Sequence, residues 1–158
     1  PMDREEFTRA VLEYENTLYR VAKSMLGSEA DCADAAQNAL LRAWERLHTL
    51  RDPAYFKTWL TRILINECRA ILRQRARYAP LEAEIAEDEA APENSSELYE
   101  AVMGLEQKYR LPVVLYYIEG FRTAEIAAML RLPEGTVKTR LRRAREILRE
   151  ELEGACYA

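Results

Sequence analysis

The chain has 158 residues, 49% of them hydrophobic and 32% charged, with a formal net charge of −4. That is the composition of a globular protein able to bury a core. No run of about 18 apolar residues occurs, which excludes a membrane-spanning helix, and the charged start MDREEFTRA lacks the apolar stretch of a secretory signal, so a cytoplasmic protein is expected.

From the N-terminus, Phe7, Val11, Tyr14, Leu18, Val21 and Met25 recur at alternating steps of four and three, the period of one amphipathic helix. Gly27 and Ser28 end it. Asp31 is placed to cap a second helix running through LLRAWERL, with Leu40, Leu41, Trp44 and Leu47 predicted to face inward. Asp52-Pro53 opens a third, YFKTWLTRILINECRAILRQRAR. There Phe56, Trp59, Leu60, Ile63, Leu64 and Ile71 are expected to pack, while Lys57, Arg62, Arg69, Arg73, Arg75 and Arg77 stay in water with Glu67 as the lone acid.

Charge then changes abruptly. Residues 1–78 carry a net +2, residues 79–100 hold eight acids and no Lys or Arg, and residues 101–158 carry a net +2. The middle stretch, APLEAEIAEDEAAPENSSE, also has two prolines and few large apolar residues, the composition of a solvated, flexible linker. Beyond it, Ser96 reads as the cap of a helix carrying Leu98, Val102, Leu105 and Tyr109. Pro112 is expected to start another, VVLYYIEG, closed by Gly120. TAEIAAML follows, with Thr123 as cap and Glu125 in its first turn, then a turn at Arg131-Leu132. No β-alternation competes. The expected fold is all-α: two small helical domains, residues 1–78 and 96–153, joined by an acidic linker over 79–95 and followed by a short tail, 154–158.

The last segment, LPEGTVKTRLRRARE, concentrates one lysine and four arginines between Lys138 and Glu146. On a helical wheel Val137, Leu141, Ala144 and Leu148 form a narrow inward stripe. Thr139, Arg142 and Glu146 lie opposite, flanked by Arg143 on one side and by Lys138 and Arg145 on the other. Two short helices joined by a tight turn, the second cationic outside, describe a helix-turn-helix. A DNA major groove has phosphate walls that attract cations and a floor of base edges that Arg, Lys and Thr can read. Taken alone, such a charged face equally describes a solvated surface helix.

Order and spacing of these segments resemble those of the extracytoplasmic-function sigma factors over nearly the whole chain. DAAQNALLRAW (34–44) is similar to the helix of sigma region two that docks on the clamp of polymerase, YFKTWLTRILINECRAILRQRAR (55–77) to the segment for minus-ten recognition and melting, and LPEGTVKTRLRRAREIL (132–148) to the signature of sigma region four. The resemblance implies that Asp34, Gln37, Asn38, Leu41 and Trp44 face core polymerase, with Asn38 standing where an acid is usual. It implies that Asn66, Arg69 and Arg73 handle the non-template strand, the amide of Asn66 offering both donor and acceptor to an extruded base. Lys138, Thr139, Arg142 and Arg143 would meet the minus-thirty-five element, and Arg122, Thr123, Arg140 and Arg145 the phosphates. Implied partners are bacterial core RNA polymerase (clamp of beta-prime, flap of beta), promoter DNA and a cognate anti-sigma factor, with no membrane insertion and no cofactor. In the family the tether threads the basic RNA path of polymerase, which would give the eight acids the part of a nucleic-acid mimic.

Other classes fit less of the chain. A stand-alone regulator would use the same helix-turn-helix but leaves the docking-type helix and the acidic linker without a role; a purely protein-binding helical module would show no DNA association. An enzyme is not expected. His48 is the only histidine and has no matching Ser or Cys spacing, and no phosphate-cradling glycine motif occurs. Cys32, Cys68 and Cys156 show neither CxxC nor Cys/His spacing, which supports neither a zinc site nor a disulfide framework.

Overall fold

The computed structural model describes residues 2–82 and 96–157. It divides into two units, Pro1–Glu89 and Ala90–Ala158, and every described element is helical or a turn. Residues 83–95, most of the expected linker, lie outside the described residues.

In the first unit α1 (Arg4–Glu13) opens on a capping box: the Asp3 carboxylate accepts from the Glu6 N–H at 2.9 Å and that of Glu6 from the Asp3 N–H at 3.0 Å. The single helix expected from Phe7 to Met25 is two, because the chain leaves helical geometry at Tyr14 and restarts as α2 (Glu15–Met25). No glycine or proline marks that break. The Tyr14 ring lies 6.1 Å from that of Phe56, so the break belongs to packing that no local signal announces. Ser28, not Asp31, caps α3 (Glu29–Glu45), accepting from the Asp31 N–H at 3.3 Å. Asp31 instead sits in the first turn, where an acid suits the helix dipole.

α3 also overturns the expected inward face. Cys32, Ala35, Ala39 and Ala43 are buried, whereas Leu41 and Trp44 are 62% and 47% exposed and Leu40 and Leu47 are half-buried. Small side chains spaced three and four apart let α3 approach α4 closely, which rotates the larger residues outward. Trp44 keeps an edge-to-face contact with Phe7, centroids 5.2 Å apart. Two short 3-10 turns, Leu47–Thr49 and Pro53–Tyr55, lead into α4 (Phe56–Glu82). α4 packs against α2 and α3 through Phe56, Leu60, Ile63, Leu64, Ile65 and Cys68. The phenylalanine, leucines and isoleucines among these each contribute about 1.5–3 kcal/mol by leaving water. Burial stops near Cys68. Trp59 and Ile71 are half-buried, as are Lys57 and Arg69, which were expected in water, and residues 73–78 are exposed.

The second unit comprises α5 (Glu97–Met103), α6 (Gln107–Val113), α7 (Thr123–Leu130) and α8 (Glu134–Tyr157). Ser96 caps α5 as expected, accepting from the Tyr99 N–H at 3.1 Å, but Leu98 is 53% exposed and outside the core. Pro112 does not begin a helix. It lies inside α6, fully buried, and burial of its ring outweighs the start signal a proline normally gives. A π-turn follows over Val114–Ile118, in which the Glu119 N–H reaches Val114 O at 3.0 Å. Widening the turn keeps Val114 and Leu115 buried and turns Tyr116, Tyr117 and Ile118 to solvent.

α8 packs against α5, α6 and α7. Between α7 and α8, Arg131 adopts φ 57°, ψ 47°, the only positive φ outside glycine among the described residues. The Leu132 N–H then closes on Ala127 O at 3.0 Å, a Schellman-type ending. Helix-turn-helix turns often place glycine here, and a side chain in this region is strained. Arg131→Gly is therefore expected to stabilise the second unit by about 0.5–1 kcal/mol, after allowance for the freer unfolded glycine; the shift of its urea midpoint is the measurement.

Candidate nucleic-acid interface

α8 begins with Pro133 O accepting from the Thr136 and Val137 N–H groups at 3.0 and 3.3 Å. Val137, Leu141 and Ala144 are buried and Leu148 half-buried, so the inward stripe read from the wheel is the packed one. That rotation leaves Lys138, Thr139, Arg142, Arg143 and Arg145 exposed and Arg140 half-buried.

Two open grooves flank this face. One, of about 800 Å³, brings together Arg122, Thr123, Lys138, Thr139, Arg142 and Arg145. The other, of about 440 Å³, holds Arg140 and Arg143. Thr139 and Arg142 line both. They form the crest between two cationic troughs, the cross-section of a helix presented to a groove with two charged walls.

Acids tether some of these cations. Arg122 Nε meets Glu125 at 3.1 Å, Lys138 Nζ lies 3.6 Å from Glu134, and Arg143 Nη1 meets Glu146 at 3.1 Å. Thr123 is not the cap of α7; that position is Arg122, whose N–H donates to Glu125 at 3.1 Å. The Thr123 hydroxyl spends its one proton on Glu134 at 2.8 Å. That hydrogen bond, with the Lys138 charge, holds the Glu134 carboxyl below its ordinary range. Thr139 donates to Gly135 O at 2.9 Å, which leaves its oxygen free to accept from a base amine. Arg145 Nη1 accepts no proton but donates to the Tyr117 hydroxyl at 2.9 Å. Among the described residues neither Arg140 nor Arg142 has an ion-pair partner.

Sequence reading missed Tyr116 and Glu134, which line the larger groove, and Lys108 and Tyr109, which line the smaller. The signal for Tyr116 and Tyr117 lay in their polar tips inside an otherwise apolar run. The π-turn hid it, since one extra residue per turn rotates the face that a regular helical period assigns.

In the first unit Asp34, Gln37 and Asn38 line a depression of about 560 Å³ with Ile71 and Gln74 of α4. One wall is a two-pronged pair, Arg75 Nε and Nη2 each 2.7 Å from the Asp31 carboxylate. Leu41 and Trp44 continue the same exposed face of α3, so all five docking candidates share it. Arg42 pairs with Glu67, bridging α3 to α4. Asn66, Arg69 and Arg73 follow one another at steps of three and four along α4, the first two half-buried and the last exposed. Arg73 lines a smaller depression with Gln74, Arg77 and Tyr78 that does not include the other two.

Among the described residues no cluster of His, Cys, Asp and Glu could hold a metal ion, and no helix is long and apolar enough to cross a membrane. Cys32 and Cys68 are buried, and burial pushes the Cys68 thiol up to about 12, which keeps it protonated and unreactive.

Two helical units, the second ending in a helix-turn-helix with a cationic outer face, give the architecture of a modular helical protein. The sequence matches Sigma-70 region 2 over residues 10–78 and Sigma-70, region 4 over residues 95–148. It is 32% identical to the ECF RNA polymerase sigma factor SigW of Bacillus subtilis, covering 95% of this chain and 90% of that one. It is 34% identical to SigM of Mycobacterium tuberculosis, covering 90% and 75%, and 29% identical to the sigma-E factor of Escherichia coli, covering 96% and 88%. Among solved structures it is similar to the sigma factor RpoE in complex with the anti-sigma factor NepR from Bartonella quintana, with a TM-score of 0.82 at 26% identity over 94% of this chain and 98% of that one. It is also similar to CnrH in complex with the cytosolic domain of CnrY, at 0.69 and 27% over 96% and 90%. The chain belongs to the extracytoplasmic-function group of the sigma-70 family, whose members act in RNA polymerase-associated transcription initiation rather than as enzymes.

Proposed function

We propose that this chain binds core RNA polymerase, recognises the minus-thirty-five and minus-ten elements of a promoter and promotes its melting, working in the cytoplasm. The observation that carries this reading is the crest of Thr139 and Arg142 between two cationic grooves. Lys138, Thr139, Arg142 and Arg143 then read the minus-thirty-five bases, while Arg122, Thr123, Arg140 and Arg145 hold phosphates. To do so, Thr123 must exchange its bond to Glu134 for one to DNA. Asn66, Arg69 and Arg73 engage the minus-ten strand, and the α3 face from Asp34 to Trp44 meets the polymerase clamp. Exposure of Leu41 and Trp44 supports that last assignment, because large apolar groups left on a surface mark interaction sites. The working division is 1–78 for docking and melting, 79–95 as tether, 96–153 for minus-thirty-five recognition and 154–158 as tail.

Sigma factors carry no bond-making chemistry. Extruding a base costs a few kcal/mol of unstacking, which pocket and stacking contacts on the factor offset. A cognate anti-sigma protein is part of the proposal, since RpoE was solved with one. Run-off transcription with bacterial core polymerase and a randomised promoter library tests the whole reading. Sequence-dependent transcripts are expected, and a mixture that starts no chains above background would sink it.

Within that frame, Arg145→Ala is expected to weaken binding to all promoter sequences alike and to lower the salt slope by about one, the mark of a single lost phosphate contact. Binding measured across a salt series on several promoters is the check, and a sequence-selective loss would contradict it.

A further inference from the structure

The smaller groove holds a cation that no reading of the motif assigns. Lys108 stands at the start of α6, about thirty residues before the recognition helix, yet it lines one groove with Arg140, Arg142 and Arg143. Its side chain is 52% exposed, and among the described residues its ion-pair neighbour is Glu106 at 4.0 Å, the limit of an ion pair. Its Nζ sits 5.0 Å from the centroid of the Tyr109 ring. Cation–π attraction of this kind steadies the ammonium without neutralising it.

Geometry gives this groove a meaning distinct from that of its neighbour. The crest of Thr139 and Arg142 separates the two troughs, and a helix seated in a major groove meets one phosphate strand on each flank. Arg122 and Arg145 lie on one flank, Lys108 and Arg140 on the other. Of the acids, Glu134 faces the first trough and Glu146 the second, and Glu146 is engaged by Arg143 at 3.1 Å. We propose that Lys108 is a phosphate contact of the minus-thirty-five complex, and that with Arg140 it grips the DNA strand opposite to the one held by Arg122 and Arg145. The α5–α6 half of the unit thereby becomes part of the DNA-binding surface and not only its support. This inference rests on the reading of α8 as the minus-thirty-five helix.

The test uses the full chain with core polymerase on promoter duplexes that carry one uncharged methylphosphonate at a time, on either strand across the minus-thirty-five element. Removing a phosphate charge has no further effect once the cation that met it is gone. Lys108→Ala and Lys108→Gln are each expected to lower the salt slope by about one and to become insensitive to methylphosphonates on one strand. Arg145→Ala becomes insensitive on the other strand, and Lys108→Arg restores the wild-type pattern. Unchanged thermal unfolding of the Lys108 variants separates lost contact from lost fold. If the Lys108 variants lose sensitivity nowhere, or on the same strand as Arg145→Ala, the inference is overturned while the reading of α8 stands. If Arg145→Ala also loses sensitivity nowhere, the reading of α8 fails with it.

Discussion

Leu115→Ala is expected to destabilise the second unit by about 2–5 kcal/mol, the cost of a cavity at a fully buried leucine. Leu115 is 0% exposed and sits within the π-turn over Val114–Ile118. A unit of this size has a total stability of only several kcal/mol, by the usual ~0.05–0.15 kcal/mol per residue. The substitution therefore consumes most of its margin. The effect reaches function because the next two residues are Tyr116, which lines the larger groove, and Tyr117, whose hydroxyl holds Arg145 at 2.9 Å. A lowered urea midpoint by circular dichroism and weaker minus-thirty-five binding are both expected. A variant with wild-type stability would mean that the π-turn is not part of the core.

For Arg142→Ala the expected result is a loss of about 1–3 kcal/mol in minus-thirty-five binding with relaxed preference at one base pair, roughly a 5- to 150-fold change in affinity. Arg142 lines both grooves and among the described residues has no ion-pair partner, so it gives up none on meeting DNA. Arg143 has Glu146 at 3.1 Å and must exchange that pair for a base or phosphate. Arg143→Ala is expected to cost a similar 1–3 kcal/mol, toward the lower end for this reason. Competition binding against duplexes substituted at each minus-thirty-five position measures both. Equal loss on every sequence would reassign Arg142 from reading bases to anchoring phosphate.

Much of the recognition helix was legible beforehand. Val137, Leu141 and Ala144 are large or small apolar residues at helical spacing with cations between them, and a regular helix leaves only one way to bury them. α3 was misread for the opposite reason. Leucines and a tryptophan outweigh alanines on any hydrophobicity scale, yet Ala35, Ala39 and Ala43 are fully buried while Leu41 and Trp44 are exposed. Helix packing rewards close approach as well as apolar area, and a single sequence does not say which wins. Pro112 shows a similar limit: its local preference for a helix start yields to a buried place inside α6. In the candidate site, the residues on α8 were found from period and charge. Lys108 and Tyr116 were not, because they come from α6 and the π-turn, which only folding brings beside α8. Glu134, at the start of α8 itself, was passed over because an acid does not fit a search for cations.

By itself the sequence determined the all-helical class, the two cationic arms, the acidic stretch between them and the outward face of α8. These follow from periodicity and charge along the chain, which act over a few turns. Tertiary structure alone decided that α1 and α2 break at Tyr14, that alanines make the inner face of α3, and that a second cationic groove exists beside the recognition helix. Each of these depends on which surfaces meet across long stretches of chain, and contact between distant side chains leaves no local pattern to read.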